Sequence, residues 1–505
     1  MKKKTFNFLL LAMSTFNFEK NTEKKILPKY RYITAESDDD TKEYYSQLEP
    51  VSREIISNGI IPDQIIVLCT KETLKEEKFY LSDDLEHEVC YSPYNFYKER
   101  ISEYLPDGKK DIFSCVDIDT SNINLGIINT ANLIIRKKAE IEKNLAENDE
   151  TEFKLWIDTQ GSFRDLVFIM NAVMNLLKIQ KITIAGIYSV QFTKQRNPES
   201  IIKEQTDNYR IFDFVSGMNE FIMYGRADQL LNYYQSNSPD LMNILNAMKN
   251  VADSIQMCDP RGFLEYKKQL KEAISEYEEQ HLDNSEELFR IFINEVKNDY
   301  GVLLKDECTN IDIIDWFYRK QFYQQALTFI ESKIPSELCE KNIIAFEYDK
   351  DKIFEIKKKD KKRFEEDNNY ILLQFLTQIS KFTINKLFLQ YNINNAENDY
   401  QNKMRENILK ICDRYGFLSN KHQSTYEVDK YGEKLVMNIN DAVFHKINQL
   451  RIFLFLFSVL KKERNNFNHM SDSTTNRATK QELDMTIALF VKAGKRLYKT
   501  VLETE

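Results

Sequence analysis

The segment between Leu155 and Tyr188 has a strand, helix and strand order, and this pattern strongly limits how the first part of the chain can fold. A short apolar run, Leu155–Asp158, precedes a helical stretch, and a second apolar run covers Ile182–Tyr188. Two strands joined by a helix pair in parallel, and the helix then packs against the sheet. The predicted helix has the wide apolar face that such packing needs, because apolar side chains recur at spacings of three and four: Leu166, Ile169, Met170, Val173, Leu176 and Leu177.

Two further apolar runs, Phe8–Met13 and Gln64–Cys69, are typical of buried strands. Short apolar runs that alternate with helical stretches predict a parallel sheet covered by helices. The sequence therefore predicts an α/β domain over residues 1–200. The basic and apolar start of the chain resembles a signal peptide, but its apolar run is short, so we interpret it as the first buried strand.

After residue 200 the strand signals stop, and the fold class expected for the remainder is all-α. A chain of 505 residues exceeds the roughly 250–300 residues that one core supports. We therefore expect two or three domains in the whole chain. Three longer helices are expected in the last third, and the second of them is apolar on nearly every side, which places it inside a bundle or a dimer interface: Tyr370–Tyr391, Ala442–Lys461 and Glu482–Val501.

Composition and charge exclude several classes of protein. A formal net charge of -9 provides no long-range attraction to nucleic acid, so a protein that coats duplexes is not expected. The seven cysteines are widely spaced without a C-x-x-C pair, which fits neither a zinc site nor a disulfide framework. No apolar run approaches the roughly 20 residues that span a membrane. We therefore expect a cytoplasmic protein with reduced thiols, no metal site and no membrane partner.

The first candidate site follows the apolar helix in the last third, where Arg464 and Asn465 precede His469. Histidine can transfer a proton near neutral pH, and arginine holds a phosphate in a planar fork of donors. These two functions suffice for cleavage of RNA without metal, because the RNA supplies its own 2′-hydroxyl as the nucleophile. Three asparagines in this segment indicate a polar break between two helices. A solvated loop or a helix cap is the alternative interpretation of the segment.

The second candidate site is the turn that follows Leu155–Asp158. A turn of small residues at the carboxyl end of a parallel strand, at the start of a helix, presents backbone N–H groups to an anion. Polar residues follow the first predicted strand in the same way, so both turns should meet at one edge of the sheet. The alternative is a simple tight turn that has no ligand. The predicted ligand-binding residues are Ser14, Thr15, Asn17, Thr159, Gln160, Gly161, Ser162, Phe163 and Arg164.

Together, these two segments resemble the CARF–HEPN ribonucleases that accompany type III CRISPR systems. Arg464, Asn465 and His469 are similar to the HEPN signature, in which four to six residues separate arginine from histidine. Asp158, Thr159, Gly161, Phe163 and Arg164 are similar to the turn of a CARF domain. The stretch Trp316–Glu331 with Pro335 resembles a third segment of the same proteins.

This resemblance implies a Rossmann-like CARF domain over residues 1–200 and a HEPN helical bundle over residues 311–505. It further implies a homodimer that binds a cyclic oligoadenylate as allosteric activator and then cleaves single-stranded RNA, without a metal cofactor, in antiviral defence. Arg464 and His469, with Asn465, would be the catalytic residues. The chain departs from the family at Ala12–Thr15, which is not glycine-rich, and at Gln160 and Ser162. A regulator that binds a cyclic nucleotide, or a ring nuclease, without general ribonuclease activity is the alternative function.

Overall fold

The chain divides into two compact units, residues 1–212 and 213–505, each with its own apolar core. The computed structural model describes residues 4–20, 22–34, 37–45, 49–109, 111–146, 150–160, 164–192, 200–234, 241–279, 287–348, 362–365, 367–391, 400–419, 422–430, 432–468 and 478–502. Among these, the backbone alone is described at residues 34, 37–41, 164, 192, 287, 390–391, 468 and 502.

The first unit is a mixed α/β structure, as the alternating sequence pattern predicts. In chain order its elements are β1 (Lys4–Ala12), β2 (Ile26–Leu27), β3 (Lys29–Thr34), β4 (Ser37–Tyr45), α1 (Pro50–Ser57), β5 (Gln64–Cys69), β6 (Glu77–Leu81), β7 (Asp84–Tyr91), α2 (Pro93–Ser102), β8 (Phe113–Asp117), α3 (Ile123–Lys143), β9 (Thr151–Asp158), α4 (Arg164–Ile179), β10 (Ile182–Phe192), β11 (Ser200–Glu204) and α5 (Thr206–Tyr209).

Eight strands form the main sheet, in the order β4-β3-β11-β10-β9-β1-β5-β8. The five strands from β10 to β8 are parallel to one another, whereas β11 and β4 are each antiparallel to a neighbour. The predicted unit of strand, helix and strand between Leu155 and Tyr188 is confirmed as β9, α4 and β10. A smaller sheet has the order β2-β6-β7.

Helices cover both faces of the main sheet. Side chains of β1 alternate between the faces: Leu9 and Leu11 pack with residues of α1 and α2, and Phe8 and Leu10 pack with residues of α3 and α4. Strands buried on both faces are apolar at nearly every position. This explains why β1 and β5 are continuous apolar runs in the sequence.

The second unit is mostly helical. Its elements are α6 (Ile211–Tyr224), α7 (Asp228–Tyr234), α8 (Met242–Gln256), α9 (Pro260–Glu279), α10 (Glu287–Tyr300), α11 (Asn310–Arg319), α12 (Tyr323–Glu340), β12 (Ile344–Tyr348), α13 (Asn368–Phe375), α14 (Ile384–Tyr391), α15 (Tyr400–Arg414), β13 (Thr425–Lys430), β14 (Glu433–Ile439), α16 (Asp441–Phe444), α17 (Ile447–Asn468) and α18 (Lys480–Leu502). One apolar core extends from Phe214 to Val501.

The expectation of an all-α remainder is wrong in one respect, because β12, β14 and β13 form an antiparallel sheet. Side chains of β14 alternate between buried and more exposed positions, so each buried apolar residue is separated from the next by a more exposed residue. Such a strand lacks the continuous apolar run by which the buried strands of the first unit were found. Gly432, with φ of +80°, lies at the turn between β13 and β14.

Of the three predicted long helices, Glu482–Val501 is confirmed as α18, and Ala442–Lys461 is divided between α16 and α17. The stretch Tyr370–Tyr391 contains two helices, α13 and α14, instead of one. Helix α17 is buried on every side in its middle, from Ile452 to Leu460, as its apolar sequence predicts. It continues to Asn468, so Arg464 and Asn465 lie within a helix. The prediction of a polar break between helices that starts at Arg464 is therefore wrong, because residues 464–468 are helical.

Candidate functional sites

The carboxyl ends of β1 and β9 lie side by side at one edge of the main sheet. The two strands are parallel neighbours, and Leu11 pairs with Asp158. The polar residues that follow β1 and those that follow β9 therefore start at the same edge, as the sequence predicts. Ser14 is buried there, Thr15 is half-buried, and the amide of Asn17 donates to the Tyr30 hydroxyl at 3.3 Å.

Asp158 is a buried carboxyl group at this edge. Its side chain accepts a hydrogen bond from the backbone N–H of Gln160 at 2.9 Å, and the residue is only 5% exposed. Burial penalises the charged carboxylate and raises the pKa of Asp158 to about 7, although the Gln160 N–H opposes the shift. The site therefore contains a carboxyl group that can gain or lose a proton near neutral pH.

The side chain of Gln160 points into the protein. Both polar atoms of its amide are buried, and the described side chain that interacts with them is that of Tyr32. Burial raises the pKa of the Tyr32 phenol, a hydrogen bond with the Gln160 side chain opposes this shift, and the negative charge of Asp158 adds to it. A buried amide of this kind can donate to or accept from a ligand that enters the edge of the sheet.

Thr159 has a structural role in addition to any contact with a ligand. Its backbone N–H and its hydroxyl both donate to the carbonyl of Tyr188 on β10, each at 2.9 Å. Gly161, Ser162 and Phe163 lie outside the described residues. Arg164 is the first residue of α4, and its backbone alone is described.

Residues that are distant in sequence complete this edge. Tyr32 lies on β3, and Tyr97 on α2 is fully buried with its hydroxyl 2.8 Å from that of Ser52. Burial raises the pKa of Tyr97, and the charge of Asp158 adds to the effect. Sequence analysis did not find these tyrosines, because their proximity to Asp158 depends on the strand order of the sheet and on no local motif.

The second candidate site lies at the carboxyl-terminal end of α17. The guanidinium Nη1 of Arg464 is 3.1 Å from a carboxylate oxygen of Glu331 on α12, and it is 3.4 Å from the amide oxygen of Asn465. The other oxygen of Glu331 is 3.6 Å from the ammonium group of Lys461. Glu331 thus bridges two cations that lie one helical turn apart on α17. Its side chain is 18% exposed, and that of Arg464 is 29% exposed.

The lysines beside Arg464 are partly desolvated. Burial lowers the pKa of Lys461, the Glu331 carboxylate opposes this shift, and the Arg464 charge adds to it. The ammonium group of Lys461 also donates to the amide oxygen of Asn369 at 3.0 Å. Burial and the neighbouring charge of Lys386 lower the pKa of Lys462. Positive charge is therefore concentrated at this end of α17 in a partly desolvated environment, where its electrostatic attraction for an anion is stronger than in bulk water.

Glu463 fixes the residues on either side of the segment that contains His469. The glutamate is fully buried, and it accepts a hydrogen bond from the backbone N–H of Ala478 at 3.1 Å. His469 itself lies outside the described residues. Of the predicted catalytic residues, the structure thus places Arg464 and Asn465 together, and sequence analysis missed the link of Arg464 to Lys461 through Glu331.

Within the described part of the chain, no group of three or more His, Cys, Asp or Glu side chains is arranged to hold a metal ion. In that same part, no helix combines the length and the apolar character needed to cross a membrane. In comparisons with known proteins, no protein-family model matches the chain, and no curated protein matches it.

Proposed function

We propose that the protein is an endoribonuclease that is activated by a cyclic oligoadenylate and cleaves single-stranded RNA without a metal ion, in type III CRISPR antiviral defence. The observation that carries the proposal is the contact between Glu331 and Arg464 at 3.1 Å. The stretch Trp316–Glu331 and the segment Arg464–His469 each resemble a part of the same ribonuclease family. They are more than 130 residues apart in sequence, and they meet in one ion pair.

In the proposed reaction, the 2′-hydroxyl of the RNA attacks the adjacent phosphorus. The guanidinium of Arg464 stabilises the negative charge that develops on the phosphate oxygens, and its five N–H donors allow it to contact Glu331 and a phosphate at once. His469 transfers the proton, and Asn465 helps to orient Arg464. General acid–base catalysis contributes about 10²–10⁴-fold to a rate. A homodimer would double this set of residues around a twofold axis.

The proposed sensor is the edge of the sheet at the carboxyl ends of β1 and β9. There the start of α4 offers backbone N–H groups and a positive dipole to a phosphate. The buried amide of Gln160 and the buried hydroxyl of Ser14 provide polar groups for the remainder of the ligand. The contact residues proposed for the cyclic oligoadenylate are Ser14, Thr15, Asn17, Thr159, Gln160, Gly161, Ser162, Phe163 and Arg164.

This proposal assigns a Rossmann-like CARF domain to residues 1–200, a helical linker to residues 201–310 and a HEPN bundle to residues 311–505 of a cytoplasmic homodimer. A ligand activates an enzyme only if it binds the active arrangement more tightly than the inactive one. The activator must therefore prefer the arrangement in which the two copies of Arg464 and His469 are competent for cleavage.

A ring nuclease without general ribonuclease activity is the second candidate, and Asp158 favours it. A carboxyl group with a pKa of about 7 can accept a proton at neutral pH. Next to a bound cyclic oligoadenylate, it would take the proton of a ribose 2′-hydroxyl, whose oxygen attacks the adjacent phosphorus. The bond from phosphorus to the 5′-oxygen of the next nucleotide then breaks, the proton passes to that oxygen, and the ring opens with a 2′,3′-cyclic phosphate at one end. This chemistry would take place at the edge of the sheet and would not need Arg464 or His469.

The test is a cleavage assay on labelled single-stranded RNA in EDTA, with and without cyclic tetra-adenylate or hexa-adenylate. We expect cleavage only with one of these ligands, and none with His469→Ala. His445→Ala, which changes an exposed histidine in the same unit, is the matched control and should keep full activity. Linear adenylate products that persist in His469→Ala, with intact RNA throughout, would replace the proposal with the ring nuclease.

A further inference from the structure

A small crevice with almost wholly apolar walls lies between α15, α17 and α18, and three basic residues are among those that line it. Its basic residues are Arg405 on α15 and Lys492 and Arg496 on α18. Its walls are apolar, with Ile452 on α17 and Leu489 and Ala493 on α18, and Gln449 supplies a polar group. The enclosed space is about 10 Å³, which holds no more than one water-sized group. A larger ligand must therefore stay outside the crevice, at its rim, where Lys492 and Arg496 are exposed to solvent.

The two arginines of this rim lack carboxylate partners. Among the residues whose side chains are described, neither Arg405 nor Arg496 forms an ion pair, whereas the nearby Arg451 is paired with Asp413 and Lys495 with Asp315. The guanidinium of Arg496 is near enough to that of Arg405 to contribute, together with burial, to a lowered Arg405 pKa. The rim thus brings two guanidinium groups together without an ion-pair partner among the described side chains, while the Lys492 ammonium group donates to the Gln401 amide oxygen.

Two further features indicate that a ligand is needed at this place. Lys492 and Arg496 lie four residues apart on α18, so they are like-charge neighbours on one face of the helix, an arrangement that is unfavourable by itself. The amide oxygen of Gln449 is buried with no hydrogen-bond donor within the described part of the chain. An anion at the rim would relieve the repulsion between the basic residues, and a single water molecule in the crevice could donate to the Gln449 amide oxygen.

We propose that this crevice binds the phosphate backbone of the RNA strand, at a distance from the point of cleavage. The inference rests on the proposed ribonuclease function and adds a contact for its substrate. Guanidinium groups hold phosphates with two parallel hydrogen bonds, and a shallow rim suits a continuous strand better than a compact ligand. A chain with a net charge of -9 needs such a local patch in order to hold RNA.

The distance between the crevice and Arg464 sets the minimum length of RNA that can contact both of them. Gln449 lies fifteen residues before Arg464 on α17, which corresponds to about 22 Å along the helix. A stacked strand advances roughly 3.4 Å per nucleotide, so about six nucleotides cover this distance. An RNA of four nucleotides can occupy only one of the two places, whereas a longer strand can occupy both.

The experiment measures RNA affinity by fluorescence anisotropy, in the His469→Ala background so that the RNA stays intact. The probes are a labelled oligouridylate of 20 nucleotides and one of four nucleotides. The variant Arg405→Gln/Arg496→Gln is compared with Lys410→Gln/Arg414→Gln, which removes two exposed charges elsewhere on α15. The conservative variant Arg405→Lys/Arg496→Lys keeps the charge and removes the planar fork, so it provides a second measurement if the glutamine variant does not fold.

We expect the glutamine variant to bind the longer RNA at least tenfold more weakly and the lysine variant to lose less, while the four-nucleotide RNA and the control variant change little. The plot of log affinity against log salt should become shallower by roughly 1.4, because two phosphate contacts are lost at about 0.7 each. Unchanged binding of the longer RNA, or an equal loss in the control variant, would overturn the inference. If the wild-type protein cleaves no RNA with either activator while the glutamine variant shows the expected loss of binding, the nuclease is removed and the strand contact stands.

Discussion

At the scale of single residues, Glu331 has the clearest expected effect. Glu331→Gln removes the carboxylate between Lys461 and Arg464, so the guanidinium loses the group that orients it. We expect kcat/KM for RNA to fall by roughly 10–100-fold, which corresponds to about 1.4–2.7 kcal/mol of transition-state stabilisation. The measurement is activator-dependent cleavage under steady-state conditions. Glu340→Gln, an exposed change on the same helix, should leave kcat/KM unchanged.

The same substitution should lower stability, because Lys461 is only 8% exposed and would keep its charge with less compensation. A buried group that loses a partner costs about 1–3 kcal/mol, and charged groups cost more. Urea unfolding measures the loss. The double variant Glu331→Gln/Lys461→Met should recover part of the stability without recovering cleavage. If Glu331→Gln alone leaves stability unchanged, Lys461 does not depend on this carboxylate.

Asp158 gives the first unit a pH dependence with a definite sign. Its pKa is about 7 in the folded chain and near 3.9 when unfolded, so the folded state binds the proton more tightly. The protonated Asp158 side chain therefore contributes fully to the stability of the folded state below about pH 4, and this contribution is lost as the pH rises towards 7. Asp158→Asn keeps an acceptor for the Gln160 N–H and cannot ionise. We expect the variant to gain up to roughly 4 kcal/mol over the wild type between pH 4 and 8.

Urea unfolding of both proteins at pH 5, 6, 7 and 8, followed by a probe in the first unit such as Trp156 fluorescence, measures this difference. Asp119→Asn is the control, because Asp119 is an exposed carboxylate after β8. It should not remove the loss of stability towards pH 8. A constant difference between the wild type and Asp158→Asn over the whole range would show that Asp158 does not carry the pH dependence.

At the scale of elements, substitutions of Gly432 test the backbone conformation of the turn between β13 and β14. Its φ of +80° is unfavourable for residues with a side chain, although a Cβ atom at this position would meet nothing within 4 Å. Gly432→Ala should therefore cost about 1–2 kcal/mol from backbone strain alone, whereas Gly432→Asn should cost less. Urea unfolding measures the difference. An equal cost for both variants would mean that the side chain clashes with its surroundings.

The sequence predicted those elements whose signals are local. Strands β1 and β5, and the unit of β9, α4 and β10, are continuous apolar runs or regular apolar faces, and they were found. Strand β14 was not found, because its seven residues show no regular alternation of polar and apolar types: the buried Glu433 is polar and the half-exposed Val436 is apolar. The extension of α17 to Asn468 was missed because asparagines are typical of helix ends, while packing of the preceding apolar residues continues the helix.

In the two candidate sites, too, the sequence predicted the local features and missed the long-range contacts. The turns after β1 and β9 could be predicted to meet, because parallel neighbours end at one edge. The contacts of Gln160 with Tyr32 and of Arg464 with Glu331 depend on the order of strands and on helix packing, which no local pattern contains. Long-range contacts of this kind decide what a polar motif can do, so the motifs alone left their alternatives open.

At the scale of the whole molecule, the proposal assigns ligand binding and RNA cleavage to different units, and this division can be tested with one pair of variants. Arg464→Ala should reduce cleavage below detection and leave the affinity for the activator within a few fold of the wild type. Arg164→Ala should raise the activator concentration needed for half-maximal cleavage at least tenfold and reach a similar maximal rate. The reason is that each change removes a phosphate contact from only one of the two sites.

Two measurements separate these effects: cleavage at increasing activator concentration, and the thermal shift on activator binding. A ligand at a hundred times its Kd stabilises the folded state by about 2.7 kcal/mol, so the wild type and Arg464→Ala should show the same shift. At that concentration Arg164→Ala should show a smaller one. Arg136→Ala, an exposed change on α3, is the control for loss of charge in the first unit. If both test variants lose the thermal shift and cleavage together, the two functions share one site and the division between the units is wrong.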